Sequence, residues 1–211
     1  MGRMVLYGEP GWGSLIVEAQ LDWYRLDYAF ERVGDLFKSA ESRRRLTEIN
    51  PLAQIPALVL ADGTLLTESA AITLYLADLT ENDDLVPGPG RPERAVFLRW
   101  LVFLVANIYP TYTYADDPAR FVADPAAQQR FREAVDNYAK HLYSTLEKAA
   151  GSPWFLGDRF TALDIYVATM TRWRPRRPWF AEHAPRLHAI GAATEKLPAL
   201  AATWERNFPD G

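Results

Sequence analysis

A segment dense in proline and glycine divides this sequence into two halves with different periodicities. Residues 86–92 read Val-Pro-Gly-Pro-Gly-Arg-Pro, a composition that interrupts helices and strands. Short apolar runs alternate with helix-like stretches before this segment, and strand signals nearly vanish after it. We therefore expect a domain over residues 1–80, a linker over 81–91 and a second domain over 92–211.

The first half is predicted to be an α/β domain with the element order β-α-β-α-β-β-α. The apolar patterns predict strands over residues 4–7, 28–33, 57–60 and 65–67, and helices after Gly13 and over 40–49 and 69–79. The turn at residues 61–63 ends in Asp-Gly, which is typical of a tight hairpin. A crossover unit followed by a hairpin predicts a mixed four-stranded sheet with helices packed on it.

The second half is predicted to be all α. Apolar residues recur at helical spacing in one stripe that ends at Gly151 and contains Phe131, Val135, Tyr138, Leu142 and Leu146. Further helices are predicted over residues 161–172, 185–195 and 198–207. Thr161 followed by Asp164 has the spacing of a capping box, which favours a role in folding over one in catalysis.

Composition and charge exclude several classes of function. The 211 residues contain no cysteine, so the chain has no disulfide, no thiolate metal site and no thiol nucleophile of its own. His141, His183 and His188 are scattered and show no metal-ligand spacing, so no metal is expected. The net charge of −4 argues against nucleic acid as a partner, because binding to phosphates needs clustered positive charge.

No membrane partner is expected either. The apolar stretch over residues 98–108 is interrupted by Arg99 and Asn107 and is shorter than the roughly 20 residues that span a bilayer. We expect it to be a buried helix. Glu9 and Pro10 break the N-terminal sequence before the apolar core of a signal peptide could form. The predicted location is therefore the cytoplasm.

The most specific pattern in the chain lies over residues 50–78, NPLAQIPALVLADGTLLTESAAITLYLAD. It resembles the glutathione S-transferase superfamily of the bacterial, cytosolic type, whose thioredoxin-like domain has an NP-x-x-x-[VI]-P-x-L segment, a hairpin and an [EQ]-S-x-x-I helix start. The matching positions are Asn50-Pro51, Ile55-Pro56, Leu58, Glu68-Ser69, Ile72 and Tyr75-Leu76.

A second motif in the helical half supports the resemblance. Residues 160–165, Phe-Thr-Ala-Leu-Asp-Ile, are similar to the superfamily's [FY]-[ST]-x-A-D-[IL] helix start, although Leu163 occupies the usual alanine position. The two motifs together imply a thioredoxin-like domain followed by an all-α domain, and they leave the subclass open.

The resemblance implies that the first domain binds the tripeptide glutathione. It implies a cis peptide bond before Pro56, which would turn the backbone of Ile55 outward to pair with an extended peptide as an added strand. Ser69 at a helix start would hold the γ-glutamyl carboxylate, and Glu68 would accept hydrogen bonds from the ammonium group of the same γ-glutamyl residue. Gln54 would reach the ligand backbone. Without the motif, the alternative that Thr67 or Ser69 only caps a helix stays open.

The hydroxyl group that stabilises the glutathione thiolate would lie between the first strand and the first helix. Ser14 is the first candidate, because the N-terminus of a helix favours an anion and the hydroxyl would donate to sulfur. Tyr7 is the alternative donor. Either residue could instead be structural, Ser14 as a helix cap and Tyr7 as part of the core. The cysteine of the cysteine-type subclass aligns with Gly13, so a serine or tyrosine type is implied.

Aromatic residues are candidates for the wall of an electrophile pocket. Trp12, between two glycines, would lie on a mobile loop beside the thiolate or pack on the second domain. Tyr109 and Tyr112 flank Pro110, which is expected to kink or end a helix, and by analogy they would line the pocket. The basic cluster over residues 172–179 is expected to be a solvated loop in which guanidinium groups stack on indoles.

The resemblance thus implies a cytosolic glutathione transferase, homodimeric and typical of detoxification, that joins the glutathione thiolate to a small, largely apolar electrophile. Two alternatives stay open. Glutathione could be a cofactor for isomerisation or dehalogenation, or the chain could be a non-catalytic binding or scaffold protein that keeps the fold.

Overall fold

The computed structural model describes residues 2–209, which form two compact units. The first unit contains the chain up to Gly88 and again from Thr194 onward, and the second covers Pro89–Ala193. Nothing in the sequence patterns indicates that the end of the chain returns to the first unit. The domain limits given above stay a prediction.

A mixed four-stranded sheet is the centre of the first unit. Its strands are β1 (Met4–Gly8), β2 (Tyr28–Arg32), β3 (Ala57–Val59) and β4 (Leu65–Leu66), in the order β2-β1-β3-β4. β1 is parallel to β2 and antiparallel to β3, and β3 is antiparallel to β4. The helices that follow these strands are α1 (Ser14–Trp23), α2 (Ala40–Thr47) and α3 (Ser69–Thr80). The predicted mixed sheet is confirmed.

The core of the first unit joins the sheet to α1 and α3. Side chains alternate across a strand, so one face of β1 and β3 presents Leu6 and Leu58 to the core. There they belong to one cluster with Val17 of α1 and Ile72 of α3, and all four side chains are fully buried. Each contributes about 1.5–3 kcal/mol to stability. This packing fixes the ends of β1 and β3 relative to the first turn of α3.

The second unit is all α, which confirms the predicted fold class. Its helices are α4 (Arg94–Phe103), α5 (Tyr109–Asp116), α6 (Pro125–Ala149), α7 (Ala162–Arg172), α8 (Arg177–His183) and α9 (Pro185–Glu195), the last of which ends just inside the first unit. A final helix, α10 (Ala201–Asn207), belongs to the first unit. The sequence reading missed α8, because its seven residues begin inside the basic cluster with Arg-Pro.

Pro110 does not end the helix in which it lies. α4 continues into α5 through a π-helical segment, Leu104–Ile108, and the N–H of Tyr109 donates to the carbonyl of Leu104, five residues earlier. Proline has no N–H to donate and normally interrupts the i→i−4 ladder. A π turn directly before the proline changes that spacing while the chain stays helical.

Within residues 2–209, one helix is long and apolar enough to cross a membrane by length and composition. It covers Arg94–Asp116 with a mean hydropathy of 1.3 in its most apolar window, 33% of which is buried. The helix thus extends beyond residues 98–108 in both directions, which corrects the shorter segment expected from sequence. A core helix of a globular protein passes the same test, and this one buries Phe97, Leu101 and Ile108.

Two expectations for the second unit are wrong. Tyr138, assigned to the apolar stripe of α6, is 52% exposed. The basic cluster is not simply a solvated loop, because Arg174 is half-buried and pairs with the carboxylates of Asp116 and Asp136. Its guanidinium lies 5.8 Å from the ring centroid of Tyr112. Arg174 therefore joins the loop after α7 to α5 and α6.

Candidate functional site

Separate chain segments meet at one end of the sheet in the first unit. The pairing of Leu58 with Leu66 fixes the register of β3 and β4. Because the two strands are antiparallel, the segment before β3, with Ile55-Pro56, and the segment after β4, with Glu68-Ser69, leave this hairpin at the same end. β1 pairs with β3 through Tyr7 and Ala57, so the β1–α1 loop, residues 9–13, leaves the sheet at the same end. The predicted glutathione-binding residues of this unit therefore lie together.

The loop before β3 has a defined shape. The peptide bond between Ile55 and Pro56 is cis, as the resemblance implies. Pro56 is buried, Ile55 is half-buried and Gln54 is exposed. Asn50, 4% exposed, supports this loop: its Nδ2 donates to the carbonyl of Gln54 at 2.8 Å, and its Oδ1 accepts from the N–H of Leu52 at 3.2 Å. Sequence reasoning placed Asn50 in the motif but missed this supporting role.

The start of α3 combines an exposed acid with an unusual backbone conformation. Glu68 has φ 63° and ψ 103°, a region that residues with a Cβ rarely adopt. Glu68 is also the N-cap residue, and no side chain caps the helix, so Ser69 is not the cap. Ser69 is 7% exposed and begins a helix whose first N–H groups favour an anion. Strained backbone beside such a helix start is typical of ligand sites.

Ser14 is fully buried at the start of α1. Its Oγ accepts a hydrogen bond from the N–H of Glu9 and donates one to the carbonyl of Glu9, each at 3.1 Å. Gly8 leaves the space for this contact, since a Cβ there would lie 2.4 Å from the Ser14 hydroxyl. The hydroxyl of Ser14 therefore closes the β1–α1 loop in this structure.

Two further residues flank this loop. The carboxylate of Glu9 accepts from the N–H of Gly34 at 2.9 Å and pairs with Arg32, which attaches the loop to the end of β2. Tyr7 is half-buried and lies on the face of β1 opposite the fully buried Leu6. Of the two candidate hydroxyl residues, Tyr7 is the one with accessible surface.

Trp12 lies beside a basic cavity. Its ring contacts the ring of Phe37 at a centroid distance of 5.1 Å. Phe37 and α2 line an open cavity of about 430 Å³ that is bordered by Lys38, Arg43 and Arg44. Three cationic side chains around one cavity favour a carboxylate ligand.

The candidate pocket tyrosines belong to the second unit. The hydroxyl of Tyr112 donates to the carbonyl of Arg174 at 2.8 Å and lies 2.6 Å from the hydroxyl of Tyr143, which is then the donor between the two. Burial raises the pKa of Tyr112 above its usual range. The rings of Tyr109 and Tyr112 both pack edge-on against Trp173. The assignment of Trp12, Tyr109 and Tyr112 to an electrophile pocket stays a prediction.

Comparison with known proteins identifies the class to which this fold and site belong. The family model described as "Glutathione S-transferase, N-terminal domain" matches residues 14–79. The chain is 40% identical over 203 residues to the uncharacterized GST-like protein YncG of Escherichia coli K12, covering 96% of this chain and 97% of that protein.

Solved structures agree with this match. A glutathione transferase from Methylococcus capsulatus str. Bath is 31% identical, with a TM-score of 0.72 and coverage of 96% of this chain and 97% of the other. A sphingomonad glutathione S-transferase in complex with glutathione is 26% identical, with a TM-score of 0.76 and coverage of 95% and 97%. The chain is therefore a member of the glutathione S-transferase family. It belongs with the bacterial members, and the relatives support glutathione transferase activity in general terms.

Proposed function

We propose that this chain conjugates the thiolate of glutathione to a small, largely apolar electrophile. The observation that carries the proposal is the meeting of Ile55-Pro56, Glu68-Ser69 and the β1–α1 loop at one end of the sheet. Glutathione is an extended tripeptide with two carboxylates, one ammonium group and one thiol. Each of these groups has a chemically complementary partner among the residues at or beside that end.

The γ-glutamyl and cysteinyl parts of glutathione would bind between the loop before β3 and the start of α3. Among residues 2–209, the structure records no hydrogen bond to the backbone N–H or carbonyl of Ile55, so both can pair with the cysteinyl backbone as an added strand. Ser69 and the first turn of α3 would hold the γ-glutamyl carboxylate, and Glu68 would accept hydrogen bonds from the ammonium group. The exposed Gln54 would contact the ligand backbone.

The glycyl carboxylate would enter the basic cavity beside Trp12. Lys38 and Arg44 are exposed there, with 85% and 71% of their side chains accessible, and each has one surface carboxylate nearby. Exposed ion pairs of this kind contribute about 0–1 kcal/mol, so a ligand carboxylate can compete for either cation.

A hydroxyl group at the β1–α1 junction would stabilise the thiolate, which makes the enzyme a serine or tyrosine type. The N-terminus of α1 favours Ser14, although its proton must turn from the Glu9 carbonyl to the sulfur. Accessibility favours Tyr7. A hydrogen bond to an anion, about 1.5–3 kcal/mol, corresponds to roughly one to two pKa units.

Calorimetric titration with glutathione tests binding, and turnover of a chlorodinitrobenzene tests conjugation. In an unfolding experiment, glutathione at a hundred times its Kd should raise the free energy of unfolding by about 2.7 kcal/mol. The matched peptide γ-glutamyl-alanyl-glycine should bind without supporting turnover, because it lacks the thiol. Consumption of one thiol per product supports conjugation, whereas release of chloride at constant thiol, with water supplying the hydroxyl group that replaces it, supports the alternative in which glutathione is a cofactor for dehalogenation. Absence of binding would favour the scaffold alternative.

Several other expectations are part of the proposal. The homodimer that the family resemblance implies stays a prediction. Among residues 2–209 there is no group of three or more Asp, Glu or His side chains arranged to hold a metal ion. The cytoplasmic location and the lack of metal, nucleic acid and membrane partners stay predictions.

A further inference from the structure

The end of the chain contacts the β1–α1 loop. The N–H of Gly11 donates a hydrogen bond of 2.9 Å to Oδ1 of Asn207, the last residue of α10. Gly11 has a φ of 76°, and a Cβ at this position would lie 3.3 Å from the ring of Phe208 and 3.5 Å from the carbonyl oxygen of Asn207. The loop therefore packs closely against residues 207–208 at a position that requires glycine.

Asn207 is held in one orientation. Its Nδ2 donates to Oε2 of Glu18 at 2.7 Å and to the carbonyl of Thr203 at 2.9 Å. Asn207 and Glu18 are 5% and 4% exposed. Because a carboxylate and a carbonyl can only accept hydrogen bonds, the amide nitrogen must face them and Oδ1 must face the N–H of Gly11.

α10 is itself fastened to α1. Nε of Arg206 donates to Oε1 of Glu18 at 2.9 Å, and Arg206 and Thr203 both contact the carboxylate of Asp22. Arg206 holds Glu18, and Glu18 in turn holds Asn207, whereas the hydroxyl of Thr203 bonds Asp22. A continuous set of hydrogen bonds therefore connects α1, through α10, to the middle of the β1–α1 loop, all within the first unit.

We propose that Asn207 is a positioning residue for the reaction: it fixes the β1–α1 loop so that the donors at the start of α1 meet the glutathione sulfur. This inference rests on the proposed function. The loop contains Gly11 and Gly13, so its backbone has little conformational preference of its own. Donors that are fixed in advance stabilise an anion without the cost of reorganisation. Ser14 and Gly34 hold the loop at Glu9, and Asn207 supplies the contact that holds it at Gly11.

The test compares Asn207→Ala with the control Thr203→Val in the full-length protein. The first variant removes the acceptor for Gly11, whereas the second removes a hydroxyl contact to Asp22 and leaves Gly11 bonded. For Asn207→Ala we expect the pKa of bound glutathione, followed by thiolate absorbance, to rise by about one unit and kcat to fall about tenfold. KM for glutathione should change less than kcat. Thr203→Val should leave both the thiol pKa and kcat close to wild type.

A second variant separates positioning from stability. Asn207→Asp keeps an oxygen facing Gly11 but places a carboxylate beside Glu18, so it should be less stable than Asn207→Ala. We nevertheless expect a higher kcat for the Asp variant than for the Ala variant, both measured on folded protein. A purely structural role would make activity follow the order of stability, and that result would overturn the inference.

Amide hydrogen exchange at Gly11 distinguishes failure of this inference from failure of the proposed function. Exchange at Gly11 should accelerate in Asn207→Ala and stay slow in Thr203→Val. If wild type binds and turns over glutathione while Asn207→Ala keeps its thiol pKa and Gly11 protection, only the positioning role is overturned. If wild type does not bind glutathione at all, the proposed function fails, whatever the exchange at Gly11 shows.

Discussion

Gln20 of α1 donates a hydrogen bond of 3.0 Å to the hydroxyl of Thr73 of α3, and both side chains are fully buried. Thr73 in turn donates to the carbonyl of Ser69 at 2.8 Å. Nε2 of Gln20 also donates to the carbonyl of Ile16 at 2.9 Å. This buried polar bridge ties the first residue of α3, where the γ-glutamyl carboxylate is proposed to bind, to the helix that follows the β1–α1 loop.

Replacing Thr73 by Val should destabilise the fold by about 1–3 kcal/mol, because a buried donor on Gln20 loses its acceptor. Thr47→Val is the matched control, since Thr47 makes the same kind of bond to the carbonyl of Arg43 on an exposed helix face. The control should change stability by less than about 0.5 kcal/mol. Urea unfolding measures both, and equal effects would contradict the role assigned to the bridge.

Tyr7→Phe removes a hydroxyl group and leaves the ring in place. If Tyr7 donates to the thiolate, kcat/KM should fall about tenfold or more, with little change in the free energy of unfolding. Ser14→Ala should instead lower stability by about 1–2 kcal/mol, because Glu9 loses both of its hydrogen bonds to that hydroxyl. Steady-state kinetics and urea unfolding separate the two effects. Full activity in Tyr7→Phe together with loss in folded Ser14→Ala would identify Ser14 as the donor.

The parts of the fold that depend on neighbouring residues could be predicted from the sequence. The Asp62-Gly63 turn joins β3 to β4 as expected, and Gly63 has the positive φ of 89° that its place in the turn requires. α9 begins at Pro185 and ends at Glu195, the bounds predicted from the sequence, and proline suits the first turn of a helix. In both cases a few adjacent side chains determine the local backbone.

The parts that depend on distant residues could not be predicted. The bond from Gly11 to Asn207 joins positions 196 residues apart, and no local pattern indicates it. The burial of Arg174 depends on two carboxylates from other helices. The candidate site shows the same division. The motif predicts Ile55-Pro56 and Glu68-Ser69 as site residues, whereas the contact between Ser14 and Glu9 depends on the close approach that Gly8 permits.

Glu68→Gln tests the contact with the ammonium group of glutathione. Loss of one charge-assisted partner should raise the Kd for glutathione about tenfold, which corresponds to about 1.4 kcal/mol. Glu81→Gln is the matched control, because Glu81 is also exposed, also has a positive φ of 49° and lies at the opposite end of α3. The Kd of Glu81→Gln for glutathione should stay within about twofold of the wild-type value. A glutathione analogue without the amino group should bind wild type and Glu68→Gln equally, and unequal binding would contradict the assignment.

Asp164 gives the second unit a pH-dependent stability. Its carboxylate is fully buried and accepts hydrogen bonds of 2.7 Å from the N–H groups of both Phe155 and Thr161, the latter as part of the predicted capping box. Burial raises the pKa of Asp164 to about 7, although these hydrogen bonds act to lower it. The native state therefore keeps a proton on Asp164 at pH values where the unfolded chain, with its ordinary pKa of 3.8, has lost it.

It follows that the contribution of Asp164 to the free energy of unfolding is complete below pH 3.8 and is lost as the pH rises through 7. Asp164→Asn cannot titrate, so its destabilisation relative to wild type should be larger at pH 5 than at pH 8. The difference should amount to about 1.4 kcal/mol for each pH unit between pH 5 and the native pKa of Asp164, about 7. Urea unfolding of both proteins at the two pH values measures it. A larger destabilisation at pH 8 would mean that the two N–H donors outweigh burial and that Asp164 is ionised in the native protein.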